Sequence, residues 1–107
     1  MMKKLSLCAA LASACIGGAA WASHHEAEPT PRPPEAVYAQ VCGYCHGRNV
    51  GPVIRGRGLP ASLVRIMVRT GPNAMPAFRP TEISDTELDA LANWIQHSEA
   101  DPEEAGQ

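Results

Sequence analysis

The stretch Cys42-Gly43-Tyr44-Cys45-His46 decides the fold of this chain, because its spacing is that of a covalent cofactor site. Two thiols three residues apart on one turn of a helix can each add to a vinyl group of a porphyrin. The C-x-x-C-H pattern is the attachment pattern of c-type haem. The sequence therefore predicts one covalent haem c at Cys42 and Cys45, with the His46 imidazole as an iron ligand.

Two other uses of a cysteine pair fit this sequence less well. A thioredoxin-like dithiol is expected near a strand-helix-strand pattern, and the chain has no alternating strand pattern. Structural zinc usually takes four protein ligands, and no second Cys/His knuckle accompanies the first pair. Attachment of haem is the interpretation that the motif favours.

The second axial ligand of the iron must come from elsewhere in the chain. The candidates are Met67, Met75, His24, His25 and His97. Met67 falls on an amphipathic stripe, where a thioether more often fills a gap in the core. The adjacent histidines fall in a polar arm, and His97 falls in the last turn of a helix, where a surface role is simpler. Met75 lies in a loop bounded by prolines, so we predict the His/Met pairing that is common in cytochromes c.

Residues 1–22 have the pattern of a secretory signal peptide. Two lysines form a basic start, an apolar and small-residue stretch follows, and Ala20-Trp21-Ala22 matches the small-x-small cleavage pattern. We therefore expect a periplasmic protein whose mature chain begins near Ser23 and has no stable membrane span. A lipid anchor at Cys15 is the weaker alternative.

Composition divides the rest of the chain into an arm, a domain and a tail. Residues 23–34 are polar and proline-rich, which favours a flexible arm. Residues 35–98 carry the helical patterns, and residues 99–107 form an acidic tail that we expect to be frayed. Processing leaves about 85 residues, a size at which a core alone gives little surplus stability, so a haem would supply the missing apolar body. Export also removes both lysines, and the resulting net negative charge disfavours nucleic acid as a partner.

Three helices with long loops between them are expected, so the predicted fold class is a small all-α domain around one haem. The first begins at Pro34 and runs into the cysteines. The second is opened by Pro60 and stopped by Gly71-Pro72, and the third follows the capping box Ser84-Asp85-Thr86-Glu87. Helical spacing predicts these apolar faces: Val37, Tyr38 and Val41; Leu63, Ile66, Met67 and Thr70; and Leu88, Leu91, Ala92 and Ile95.

Ligation by both His46 and Met75 would leave the iron without an open position, so small substrates would have nowhere to bind. Outer-sphere transfer of single electrons is then the expected function, and the chain is not itself expected to be an enzyme. A haem enzyme or gas sensor with a labile Met75 is the alternative from another class. Arg55 and Arg57 could neutralise haem propionates, face a partner or be ordinary surface residues.

These residues resemble a class I cytochrome c. The resemblance extends from Glu35 to His97 and rests on a helix leading into CGYCH, Gly51-Pro52 after the histidine, Met75-Pro76 before the last helix, and Trp94 within it. It implies that the carbonyl oxygen of Pro52 accepts the Nδ1 proton of His46 and so sets the orientation of the ring. It also implies that Trp94 packs against the first helix near Val37 and Val41.

A narrower resemblance is also visible. The segments VCGYCH, GPVIRGRGLP and MVRTGPNAMPAF are similar to those of the cytochrome subunits of p-cresol methylhydroxylases, which are bacterial flavocytochromes. The resemblance implies a partner subunit that is a FAD-containing flavoprotein of the vanillyl-alcohol oxidase type and oxidises 4-alkylphenols. It also implies a small acceptor for the electrons, such as a cupredoxin or another cytochrome. The alternative is a free-standing cytochrome c shuttle between respiratory complexes.

Overall fold

The computed structural model describes residues 29–106, and within that range the protein is helical. Helix α1 spans Pro34–Gln40, a 3₁₀ turn spans Cys42–Tyr44, helix α2 spans Ala61–Thr70, and helix α3 spans Asp85–His97. The described residues contain isolated bridges but no strand. The predicted all-α class is therefore confirmed. The predicted signal peptide and the first six residues of the predicted arm lie outside the described residues.

Helix α1 begins where the sequence predicts and ends before the cysteines. Pro33 is extended and Pro34 is the first helical residue, a position where the missing N–H of proline costs nothing. The helix ends at Gln40 because Val41 leaves the helical region, with φ −126° and ψ −66°. Cys42 therefore begins a separate 3₁₀ turn and Cys45 follows directly after it, so neither cysteine lies on a continuation of α1.

Helix α2 has the predicted limits but a different buried face. Its buried residues are Ala61, Val64 and Val68. The face expected to be buried is largely exposed, and it consists of Leu63, Ile66, Met67 and Thr70. Valine and alanine at i, i+3 and i+7 are enough to seat the helix on α3, so the larger side chains are left on the opposite side. The prediction of this face was wrong.

Helix α3 is the element around which the core is built. The capping box is present in both directions, because the Ser84 hydroxyl accepts from the Glu87 N–H and the Glu87 carboxylate accepts from the Ser84 N–H. The predicted apolar stripe is fully inside, and its members are Leu88, Leu91, Ala92 and Ile95. Both α1 and α2 pack on this helix. The pattern of α3 is thus confirmed in its start and in its buried face.

The end of the predicted arm is attached to α3 through Arg32. The side chain of Glu87, 8% exposed, accepts from the Arg32 backbone N–H at 3.0 Å and from its Nε at 2.7 Å. A further guanidinium N–H of Arg32 donates to the carbonyl oxygen of Glu82 at 3.0 Å. Hydrogen bonding by Arg32 lowers the pKa of Glu87 to about 2. Within the predicted arm, Arg32 is therefore held against α3.

The acidic tail is folded onto the loop that follows the cysteines. Ala105 accepts from the Asn49 N–H at 2.7 Å and donates to the Gly47 carbonyl oxygen at 3.1 Å. Ser98 accepts from the Gly56 N–H at 3.1 Å. The prediction of a frayed tail was therefore wrong for residues 99–106, because backbone hydrogen bonds and ion pairs attach this segment to the loop. No helix within residues 29–106 is long and apolar enough to cross a membrane.

The Arg32–Glu87 pair predicts how stability depends on pH. Because the pKa of Glu87 is depressed in the folded state, the carboxylate adds stability above its ordinary pKa of 4.5, and this is lost as the pH falls towards about 2. Glu87→Gln should therefore flatten the fall in unfolding free energy across this range, as measured by denaturant titration at several pH values. Glu35→Gln, at an exposed position in the first turn of α1, should retain the parent's dependence. An unchanged slope in Glu87→Gln would contradict the assignment.

Gly71 ends α2 in a left-handed conformation, with φ 61°, and turns the chain towards Met75. A Cβ at Gly71 would lie 2.3 Å from the backbone nitrogen of Ala77. Gly58 has nearly the same φ, 59°, but its added Cβ would meet nothing within 4 Å. Gly58→Ala should cost only the left-handed strain, about 1 kcal/mol, whereas Gly71→Ala should lower the free energy of unfolding by more than about 2 kcal/mol. Equal losses in denaturant titrations would show that the contact with Ala77 relaxes freely.

Candidate haem site

A single apolar cavity of about 730 Å³ collects the residues of the C-x-x-C-H motif and the loop of Met75. Its volume lies in the range of small-molecule and cofactor sites, roughly 300–1,000 Å³. The sequence-predicted residues that line it are Cys42, Cys45, His46, Pro52 and Met75. No Asp, Glu, Lys or Arg is found among the described residues that line it. The structure thus brings the predicted site residues together around one uncharged space.

The orientation of the His46 ring is set by a hydrogen bond on one of its nitrogens. Nδ1 of His46 lies 2.7 Å from the carbonyl oxygen of Pro52, the contact that the resemblance implied. A carbonyl oxygen can only accept, so Nδ1 carries the proton and Nε2 keeps a free lone pair for a metal. Gly51 leaves room for this ring, because a Cβ there would be 3.3 Å from Nδ1.

Cys42 begins the 3₁₀ turn, and Cys45 caps its end immediately before His46. The carbonyl oxygen of Cys42 accepts from the N–H groups of Cys45 and His46, at 3.1 and 2.9 Å, which closes the turn. Burial raises the pKa of the Cys42 thiol to about 11. Among residues 29–106, no three His, Cys, Asp or Glu side chains are grouped to hold a metal ion.

Met75 is held in the cavity wall by a loop that returns from α2. Its N–H donates to the Pro72 carbonyl oxygen at 3.0 Å, and the Phe78 N–H donates to the Val68 carbonyl oxygen at 2.8 Å. Arg69 also donates to the carbonyl oxygen of Phe78 at 2.9 Å. Backbone hydrogen bonds at both ends therefore fix the loop that carries the thioether.

Met67 lines the same cavity and is not the core residue that the sequence predicted. The residue is 38% exposed and is not among the buried residues of α2. Val64 and Val68, and not Met67, are the buried residues in this part of α2. The thioethers of Met67 and Met75 therefore both border the cavity.

The histidine candidates are placed away from this site or beyond the described residues. His97 is exposed at the end of α3, with Nδ1 2.8 Å from the Asn93 carbonyl oxygen, and it does not line the cavity. His24 and His25 lie outside the described residues.

Arg55 and Arg57 do not line the cavity. Arg55 is bound to the tail, with its guanidinium 2.9 Å from Asp101 and 3.6 Å from Glu104. The same guanidinium lies over the rings of Tyr38 and Trp94, at 5.7 and 5.2 Å from their centroids. Attachment of the tail is a role of Arg55 that the sequence did not suggest.

Tyr38 is a polar contact of the motif that sequence reasoning missed. It was expected only as part of an apolar face, yet its hydroxyl lies 3.0 Å from the His46 carbonyl oxygen and 2.8 Å from Oε1 of Glu104. Burial, and then the Glu104 carboxylate, raise the pKa of the Tyr38 phenol. Its ring also packs on Trp94, with centroids 5.2 Å apart, so the expected contact between Trp94 and α1 is made through Tyr38. A tyrosine within an otherwise aliphatic stripe was the available signal.

Comparison with known proteins agrees with this geometry. The family model described as cytochrome C oxidase, cbb3-type, subunit III matches residues 29–95. The 4-cresol dehydrogenase (hydroxylating) cytochrome c subunit of Pseudomonas putida is 43% identical over 61 residues, which are 55% of this chain and 54% of that protein. The chain thus spans about half the length of this curated relative.

Two solved structures are also similar. A chain in the crystal structure of p-cresol methylhydroxylase with substrate bound is 38% identical, with a TM-score of 0.60 over 64% of this chain and 95% of that one. A chain in the structure of p-cresol methylhydroxylase at 2.5 Å resolution is 38% identical, with a TM-score of 0.58 over 62% and 93%. The predicted cytochrome c fold and the narrower resemblance are both confirmed by these matches. This chain therefore belongs to the c-type cytochrome family described as cytochrome c oxidase, cbb3-type, subunit III, and is similar to the cytochrome subunit of p-cresol methylhydroxylase.

Proposed function

We propose that this chain is a periplasmic monohaem cytochrome c that transfers single electrons as a subunit of a flavocytochrome. The observation that carries the proposal is that the C-x-x-C-H residues and the Met75 loop line the same uncharged cavity. Family membership implies haem c as the cofactor. When bound, the haem supplies a one-electron couple between ferric and ferrous iron.

The residues around the cavity fit a porphyrin. Cys42 and Cys45 would hold it covalently, and His46, with its proton on Nδ1, would present Nε2 to the metal. Met75 would be the second ligand to the iron, so that no ligand position would remain for a substrate. Aliphatic side chains from α2, α3 and the loops line the cavity, and this apolar surrounding favours the less charged ferrous state, as does a thioether ligand.

The proposal includes processing of the N-terminus. Residues 1–22 would be removed as a signal peptide and residues 23–34 would form an arm, of which Arg32 is attached to α3. Residues 35–98 would form the cytochrome domain, followed by the acidic tail. The basic start and the Ala20-Trp21-Ala22 site in the sequence support this export.

The proposed electron donor is a FAD-containing flavoprotein subunit of the vanillyl-alcohol oxidase type that oxidises a 4-alkylphenol. The similarity to a 4-cresol dehydrogenase cytochrome c subunit supports this donor. The chain would drain the reduced flavin in two single-electron steps and then reduce a small acceptor such as a cupredoxin or another cytochrome. Tyr44 and Val50, which line the cavity and are 64% and 65% exposed, form an apolar rim suited to close contact with a partner.

Paired substitutions test which methionine is the ligand. Met75→Ala should keep the covalent haem, lose the weak far-red sulfur-to-iron absorption band of the oxidised protein and lower the reduction potential, because the soft ligand is gone. Met67→Ala should keep the band and lower the free energy of unfolding by about 1–2 kcal/mol, less than the 2–5 kcal/mol of a fully buried methionine. Loss of the band in Met67→Ala alone would show that the ligand is Met67. Ready binding of carbon monoxide by the reduced parent would favour the gas-sensor alternative.

A second pair of variants tests the flavoprotein partner. The tagged mature chain, purified from its own host, should retain a FAD-containing protein whose reduced flavin reduces the haem in rapid mixing. Val50→Asp at the cavity rim should weaken this association at least about tenfold, the effect of losing a central interface contact. Ile66→Asp is the matched control, because Ile66 is 59% exposed on α2 but does not line the cavity, and it should change the affinity by less than about twofold. A chain that retains no flavoprotein would instead support the free-standing shuttle.

A further inference from the structure

The C-terminal segment 98–106, named the clamp here, crosses the loop that carries the proposed iron ligand. It pairs with this loop at two separated places, through Ala105 with Gly47 and Asn49, and through Ser98 with Gly56. The clamp therefore contacts the chain within the segment from His46 to Pro52 and again beyond it. It also lies beyond the residues that the family model matches, which end at 95.

Glycines in the loop are matched to the clamp by close contact. Gly47 has φ 121°, and a Cβ added to it would lie 2.8 Å from Cγ of Glu104. Gly56 has φ 70°, and its added Cβ would lie 2.5 Å from the backbone nitrogen of Ala100. Both positions need glycine for their conformation and for the approach of the clamp. The loop and the clamp are therefore closely packed at both glycines.

Ionic groups hold the clamp at its centre. The guanidinium of Arg55 binds Asp101 and Glu104 while it covers the rings of Tyr38 and Trp94. The side chain of Glu104 is only 12% exposed, and its Oε2 and the Nε of Arg55 are buried without a hydrogen-bond partner. Unpaired buried polar atoms cost free energy, so the burial of Glu104 is not favourable in itself.

Contacts of the clamp reach both groups that support His46. Glu104 accepts from the Tyr38 hydroxyl, which shares its proton with the carbonyl oxygen of His46. Gly106 lies against Val53, and a Cβ added to Gly106 would be 2.5 Å from the Val53 nitrogen. Val53 follows Pro52, whose carbonyl oxygen accepts from Nδ1 of His46. The backbone and the ring of His46 are therefore each braced by a residue that the clamp contacts.

We propose that Glu104 and Tyr38 are positioning residues for His46, and that the clamp keeps the His46–Pro52 hydrogen bond closed. This role rests on the proposed function, in which His46 ligates the haem iron. Nothing in it requires Glu104 to contact the haem, because Glu104 does not line the cavity. The clamp would act through the backbone of the loop, by limiting how often the segment from His46 to Pro52 opens.

The test measures the His46 ring directly in the reduced holoprotein. Exchange of the Nδ1 proton with solvent, followed by NMR, reports opening of its bond to Pro52. Glu104→Ala should speed this exchange about tenfold, as expected when a hydrogen-bonded contact that restrains the loop is lost. Glu103→Ala is the matched control, since it removes the same charge from the neighbouring exposed residue, and it should leave the rate within about twofold of the parent.

Two further variants separate positioning from general stability. Tyr38→Phe keeps the ring packed on Trp94 but removes the hydroxyl, and it should also speed the exchange of the His46 proton. Glu104→Gln keeps an oxygen that accepts from Tyr38 and should restore most of the protection. A lower melting temperature with an unchanged exchange rate in both Glu104→Ala and Tyr38→Phe would overturn the proposal.

The parent protein separates failure of this proposal from failure of the proposed function. Its mass should include one haem, and its reduced spectrum should be that of low-spin iron. Absence of haem or of histidine ligation in the parent would refute the proposed function and the positioning role with it. A normal parent whose Glu104→Ala variant exchanges at the parental rate would overturn the clamp alone.

Discussion

The constraint on which this structure depends is the apolar surface that the chain does not bury against itself. The buried core is small and is centred on α3, where Leu91 and Ala92 are completely enclosed. Several other apolar side chains of α2 and of the loops border the cavity instead, and Leu63, Met67 and Val50 remain exposed there. A protein of this size lacks the surplus to leave so much apolar surface in water. A large flat apolar cofactor in the cavity would complete the core.

Arginine pairs hold the two ends of the described chain in place. Arg32 joins the arm to Glu87 at the start of α3, and Arg55 joins the clamp to Asp101 and Glu104. Both are only partly exposed, so they are less screened by solvent than the pair formed by Arg65 with Asp89, which lies on the surface. Arg32 and Arg55, which composition alone would assign to a solvated surface, therefore hold the arm and the clamp against the domain.

Local signals predicted the helices because their causes are local. The capping box of α3 uses groups three residues apart, and the α3 stripe is read at a spacing that no distant residue alters. Gly71 likewise stops α2 through its own left-handed conformation. The buried face of α2 was predicted wrongly because this helix carries apolar residues on two faces, and only its neighbours decide which of these residues are buried.

By itself the sequence determined the cofactor motif, the helical class, the limits of α2 and α3, and the loop that carries Met75, because these depend on spacing within a few turns. Tertiary structure alone decided that Met67 borders the cavity, that Arg55 lies over two aromatic rings and that Glu104 reaches Tyr38. Residues 38 and 104 are far apart in the chain, and no periodic pattern encodes such a contact. It exists only once α3 returns the chain across the loop of His46, where close packing selects which distant groups meet.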